Sequence, residues 1–377
     1  MSQHAAVNTH AAVNTVPLLR DLQILPLEDA RAEWDDLVAS HADATLYHRE
    51  PWLEVLRRAF GVRPSVALLR ESDWTLAACL LAPGGNPIRR NMVALPFSDF
   101  CPPLAVDEAA RDALISGLAA LEAGPRLELR GVAGVHPWNV LYHFQRWTLD
   151  LSRPFEAIER AADREVRRHL RRAREAGIMI DCSRGVGAIE AFFKLLLENR
   201  RRLGVPSQPL KFFRLVHEVF AKLDAIEVWF AWHQGRRIAG VVVLRDGDVL
   251  HAKWSARTAS GPDGASHLVF MSIAEHHAGR AKALDFGRTD SRNRGLSRFK
   301  RQLGAAAHDL PYSYFPAMPG VTSSENLTGW WHTASRVYRN LPLPAARVLG
   351  SVTYRYLALA DISQSHPLAT SRNYCRI

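Results

Sequence analysis

IEVWFAWH (226–233), RIAGVVVL (237–244) and DVLHAKWSA (248–256) are three short runs rich in β-branched and aromatic residues, separated by HQGR and RDGD. Such separators are hairpin signals, so the runs predict an antiparallel meander. Upstream, Ile189, Phe192, Phe193, Leu196 and Leu203 recur at helical spacing. Gly204 supplies a C-terminal stop, and Pro206 and Pro209 fill the connection to a second helix over 210–223. Downstream, the loop RTASGPDGA (257–265) enters a helix at SHLVFMSIAEHHAGR, followed by a strand at ALDFG (283–287) and a short basic helix at LSRFKRQLG (296–304). A helix pair, a meander, a helix and a strand predict an α/β (α+β) fold, with mixed, mostly antiparallel sheets flanked by helices.

The first half alternates in the same way. LQILPL (22–27) reads as a strand, 29–39 as a helix, and YHREPWLEVLRRAFG (47–61) as a helix with Pro51 in its first turn and Gly61 closing it. Strands follow at 65–71 and 75–82, then the irregular LPFSDFCPPL (95–104), a helix over 107–121 and a strand at 126–131. A change from hydrophobic to Arg-rich composition near residue 151 divides the chain into units over 18–150 and 151–325, with a helical extension over 326–377. The hexamer HAAVNT occurs twice in residues 4–15. It is too polar and short to bury a face, so 1–17 is expected to be a disordered tail.

The 377 residues include 48 Lys and Arg against 38 Asp and Glu, a net charge of +10, and 47% are hydrophobic. That composition excludes a wholly disordered chain and suits two or three globular units. No run of roughly 18 apolar residues occurs, and the N-terminus has neither a basic nor an apolar leader segment, so neither a membrane span nor a secretory signal is expected. The four cysteines, Cys79, Cys101, Cys182 and Cys375, are far apart and form no ligand cluster, which predicts reduced thiols and a cytoplasmic protein. The histidines show no metal-ligand spacing, and GxSxG, Walker and dinucleotide fingerprints are missing. Metal, serine-nucleophile and ATP-driven chemistry therefore have no support.

The positive charge is densest in DREVRRHLRRAREA (163–176), where Val166, Leu170 and Ala173 form an apolar stripe and arginines fill the rest. The helix is either a solvated face or a docking strip on which Arg168, Arg171 and Arg172 hold phosphates through bidentate contacts. Trp330, Ala334 and Val337, then Ala345, Val348, Leu349, Val352 and Tyr356, form two further stripes, with Arg336, Arg339, Arg347 and Arg355 nearby. They predict helices that pack on the second unit or lie on a membrane surface.

Residues 284–304, LDFGRTDSRNRGLSRFKRQLG, carry the chemistry. Acyl transfer needs a positioned amine, an acyl carbonyl, and a cation or donor where the oxyanion develops. Lys300, beside Arg298 and Arg301 on a basic helix, can supply that charge; otherwise it is a surface lysine. Asp285 can orient Lys300 or accept the amine proton, and Arg288 can hold an acidic acceptor group. A structural Asp–Arg pair pinning the loop is the alternative. Trp254, Ser255 and Lys253 end the central strand and face either a cleft or the core.

Together, LPFSDFCPPL, RRHLRRAREAGI (167–178), NRRRLGVP (199–206), the meander ending in HAKWSA and LDFGRTDSRNRGLSRFKRQLG resemble the FemAB-like branch of the GNAT acyltransferase superfamily over about residues 20–360. The resemblance implies two tandem GNAT-like domains with a cleft between them, and transfer of acyl or aminoacyl groups to amines of cell-envelope precursors. VYRNLPLPAARVLG (337–350) is similar to the endings of members tied to exopolysaccharide production. The family associates a lysine after phenylalanine, here Phe299-Lys300, with stabilising the transfer. It places the donor pyrophosphate at the turn before the helix that follows the central strand, here Arg257, Gly261, Gly264 and Ser266, although this loop departs from the usual R/Q-x-x-G-x-G/A pattern. The donor expected is acyl-CoA or another acyl-thioester. Aminoacyl-tRNA is less favoured, because no sustained heptad arm is present. The expected acceptor is a phosphate-bearing small molecule or lipid-linked precursor, met in the cytoplasm or peripherally at the inner membrane face. The alternative role is a non-catalytic anion-binding module acting at a nucleic acid or membrane surface.

Overall fold

The computed structural model describes residues 22–72, 74–84, 91–121, 126–316 and 330–359; the tail expected over 1–17 lies outside them. The first half runs β1 (Leu22–Pro26), α1 (Arg31–Ser40), α2 (Glu50–Phe60), β2 (Ser65–Glu71), β3 (Trp74–Gly84), β4 (Asn91–Val93), β5 (Leu104–Ala105), α3 (Glu108–Ala119), β6 (Arg126–Arg130) and β7 (Asn139–Asp150). Local signals set several ends. Pro51 opens α2 and Gly61 closes it in the left-handed region, while Asp107 Oδ1 accepts the Ala110 N–H at the start of α3.

The second half runs α4 (Phe155–Ala161), α5 (Arg164–Glu175), β8 (Met179–Ser183), α6 (Val186–Leu203), α7 (Leu210–Ala221), β9 (Ile226–His233), β10 (Arg236–Asp246), β11 (Val249–Arg257), α8 (Ala265–His277), β12 (Ala283–Asp290), α9 (Arg294–Gln302) and β13 (Ala306–Phe315). Helices α10 (Trp330–Asn340) and α11 (Leu343–Leu359) follow. The stripe of α5 is buried as its spacing requires, through Val166, Leu170 and Ala173.

The thirteen strands of the described residues join one sheet in the order β1-β2-β3-β4-β6-β13-β7-β12-β11-β10-β9-β8, with β5 beside β3. Pairing is antiparallel except at two short places. Asn91–Val93 runs parallel to Arg126–Glu128, and Val249–His251 runs parallel to Ala283–Asp285. Each parallel contact flanks a helix crossover, α3 in the first half and α8 in the second, so the halves repeat one plan.

At the centre the halves exchange strands. β7 of the first half pairs with β12 of the second, β13 of the second pairs with β6 of the first, and β7 and β13 pair with each other. Three cores result. One lies under α3; another lies between the sheet and α5, α8 and α9. The largest joins α1 and α2 to α6 and α7, where Trp52 and Phe60 meet Phe212 and Trp254. The two halves therefore share buried apolar surface, the dominant favourable term in association. Among the described residues, no helix is long and apolar enough to cross a membrane.

Candidate active site

The parallel contact between β11 and β12 ends at His251 and Asp285, and beyond it the strands part. Gly287 takes a φ of 69°, and the register of β12 against β7 shifts between Asp285 and Arg288. Into this gap opens a cleft of about 780 Å3, lined by Lys253–Arg257 of β11, Phe286–Arg288 of β12, Phe299 and Lys300 of α9, and Trp52, Phe97 and Asp99 from the first half.

Lys300 fills the gap's floor and is 4% exposed. Its Nζ donates to the Phe286 carbonyl at 2.8 Å, the Gly287 carbonyl at 3.1 Å and Thr289 Oγ1 at 2.6 Å. It thereby satisfies buried carbonyls where the strand distorts, a requirement for buried backbone groups. It is not the surface lysine that its position on a basic helix also allowed. Burial pulls the ammonium down to about 7, against the pull of Asp285 and Asp99 in the other direction. With three acceptors around it, the charged form contributes by its field and by fixing the Phe286–Gly287 backbone.

Asp285 is 1% exposed. Oδ1 accepts the Gly287 N–H at 2.7 Å, and Oδ2 accepts from Arg146 Nε at 2.8 Å with His251 Nδ1 3.5 Å away. Burial pushes its pKa up, but His251 and Arg146 outweigh this and hold the carboxyl well below the usual range. A carboxylate held so firmly ionised is a weak proton acceptor and a good orienting group.

Sequence reasoning missed the network that crosses between the halves. Asp99, in the irregular 95–104 segment, accepts from Tyr47 Oη at 2.8 Å and from Lys253 Nζ at 3.0 Å, and Lys253 Nζ donates to Tyr47 Oη at 2.7 Å. Burial raises the Asp99 pKa, yet the charges of Lys253 and Arg288 bring it below its ordinary value. Arg288 donates to Tyr312 Oη at 2.6 Å and lies over the Phe144 ring. The segment around Asp99 carried the family resemblance, but no local pattern tied Asp99 to Lys253, 154 residues away.

Trp254 and Ser255 line the cleft; Trp254 also stacks on Trp52 across the halves at 6.4 Å, so it serves core and cleft together. Arg257, Gly261 and Ser266 line the cleft near the start of α8, and Arg202 of α6 lines it too. The N-terminus of α8 has no side-chain cap, which leaves its first-turn N–H groups to meet an anion. Gly264 is the N-cap of α8 and does not line the cleft; it lets α8 approach the His169 carbonyl of α5. Arg168 and Arg171 line a separate open depression of about 730 Å3 at the start of α5. Arg172 is exposed on the same helix, and Arg298 pairs with Glu165 at 2.8 Å. None of these four lines the cleft.

Residues 160–301 match the acetyltransferase (GNAT) domain model. The second half of this chain is therefore similar to a GNAT domain. FemX superposes with a TM-score of 0.55 at 13% identity over 75% of this chain and 95% of its own, so the two share a fold that reaches beyond the matched domain. The structure of L-PGS from Bacillus licheniformis aligns with a TM-score of 0.49 at 11% identity, over 89% of this chain and 97% of its own. A tandem GNAT protein from the clavulanic acid biosynthesis pathway aligns with a TM-score of 0.48 at 13% identity, over 79% and 99%. No curated protein sequence matches the chain. The resemblance to the FemAB-like GNAT branch read from the sequence is borne out at the level of fold.

Proposed function

We propose that this GNAT-domain protein transfers an acyl or aminoacyl group from a small acyl-thioester to an amine on a phosphate-bearing cell-envelope or exopolysaccharide precursor. The observation that carries this reading is the splayed β11–β12 cleft with two buried lysines, Lys253 and Lys300, in its wall. The amine nitrogen attacks the acyl carbonyl carbon, negative charge develops on the carbonyl oxygen, and the carbon–sulfur bond breaks as the amide forms. The thiolate leaves with the proton lost by the amine.

In this reading Lys300 supplies the positive field toward the oxyanion, in a site where low dielectric strengthens it. Asp285 orients the strand break through Gly287 and Arg146. Arg288 faces an anionic group of the acceptor, and Trp254 and Ser255 shape the cleft beside it. The donor phosphates belong at the α8 end, where Arg257, Arg202, Ser266 and the first-turn N–H groups converge; Gly261 keeps the backbone low there, and Gly264 sets the angle of α8. Units 18–150 and 151–325 act as the tandem pair, with 326–377 as their extension, in the cytoplasm.

Turnover of a radiolabelled acyl-thioester with amine acceptors tests the reading, alongside calorimetry with coenzyme A and bulk tRNA. Thioester binding with acyl transfer supports it; tight tRNA binding without thioester binding overturns the donor assignment. The off-cleft arginine face of α5 favours a second role, anion binding without catalysis. Polyanion binding with no turnover selects that role.

A further inference from the structure

Helix α11 is apolar on two faces. Ala346, Gly350 and Tyr354, spaced by four, face inward; Gly350 comes so near Ser207 that an added Cβ would lie 2.8 Å from its carbonyl. On the other side Val348 is 65% exposed, Val352 62% and Leu349 41%, and Val337 of α10 is 56% exposed. A helix apolar on both sides ordinarily lies inside a protein or against another apolar phase, and a contiguous exposed apolar patch marks an interaction surface.

The charges around that patch identify the partner. Residues 330–359 contain Arg336, Arg339, Arg347 and Arg355 and no Asp or Glu. Arg336, Arg339 and Arg347 are exposed. Valine and leucine beside arginines, without one acidic residue, complement a surface that is anionic above and hydrocarbon below. A second protein surface of this chain would bring its own arginines against these. We propose that the α10–α11 face docks on an anionic lipid bilayer, with Val337, Val348, Leu349 and Val352 entering the headgroup boundary and Arg336 and Arg347 meeting lipid phosphates.

The location gives the contact a use. Arg339 of α10 and Tyr354 of α11 line the active-site cleft from their inner sides. Docking therefore sets one wall of the cleft against the bilayer, where the amine of a lipid-anchored acceptor would be delivered. Lipid binding itself does not depend on the acyl-transfer reading and is measured without turnover.

The full-length protein is cosedimented with phosphatidylcholine vesicles and with vesicles carrying anionic phosphatidylglycerol, across a salt series. Binding is expected with the anionic vesicles and should weaken as salt rises. Val348→Asp with Val352→Asp should abolish it, and Arg347→Glu should weaken it about tenfold. All three positions are exposed, so the melting temperature should not change; Val348→Ser with Val352→Ser serves if the aspartates perturb folding. No binding at low salt, or binding unchanged in the valine variants, overturns the proposal. So does wild-type self-association that Val352→Asp disrupts, since the face would then be covered by a second copy.

Discussion

Lys253 of β11 and Asp99 of the first half form an ion pair of 3.0 Å whose side chains are only 6% and 10% exposed. One partner comes from each half, so the pair has no reason to exist until the halves meet. Breaking a buried pair from one side leaves an unpaired charge, at a cost of roughly 3 to 5 kcal/mol. Lys253→Met or Asp99→Leu alone should therefore lower the denaturant midpoint strongly, and the double variant should recover much of the loss. Additive losses in the cycle would show that the pair is not coupled.

Lys300→Ala should lower acyl transfer by about two orders of magnitude, the scale for loss of one oxyanion-stabilising group. Single-turnover rates on a variant with native circular dichroism check this. Unchanged turnover removes Lys300 from the chemistry.

The same lysine predicts a pH effect on stability. Its folded pKa is lowered to about 7 from an ordinary 10.5. Between these values the unfolded chain binds a proton that the folded chain does not, so stability rises with pH across that window. Below about pH 7 the penalty for burying the ammonium is present in full. Lys300→Met lacks this dependence. The wild-type melting temperature minus that of Lys300→Met should therefore grow from pH 7 to pH 10; a flat difference contradicts the buried, depressed ammonium.

Charge reversal at Arg168, Arg171 and Arg172 should leave the KM for a small thioester unchanged, because these side chains lie off the cleft. If they act on substrate, they act on a distant phosphate of a long acceptor. The acceptor KM should then rise and its salt dependence flatten. A change in the thioester KM would show that α5 reaches the donor.

Gly264 has a φ of 95°, and a Cβ there would lie 2.5 Å from the His169 carbonyl oxygen. Gly264→Ala combines left-handed strain with a backbone clash, and should cost about 1–3 kcal/mol or more. Thermal unfolding measures this. Gly279→Ala is a control with positive φ and open space around it, and should cost less.

The local elements were legible in the sequence because their causes are local. The apolar stripe of α5, Pro51 and Gly61 bounding α2, Gly204 ending α6, and the β9–β11 meander all follow from periodicity and backbone chemistry within a few residues. Strands β7 and β13 were not legible. NVLYHFQRWTLD (139–150) and AAHDLPYSYF (306–315) mix charge, histidine and proline into their runs, and each gains its ladder from a strand of the opposite half. The candidate site divides in the same way. The residues around 285–300 announced an acyl-transfer motif, and Lys300 and Arg288 do line the cleft. Only the tertiary structure placed Tyr47, Asp99 and Lys253 in one hydrogen-bonded cluster and buried Lys300 under the strand break. Burial and charge pairing across 150 residues depend on distances that exist only after the two halves have exchanged strands.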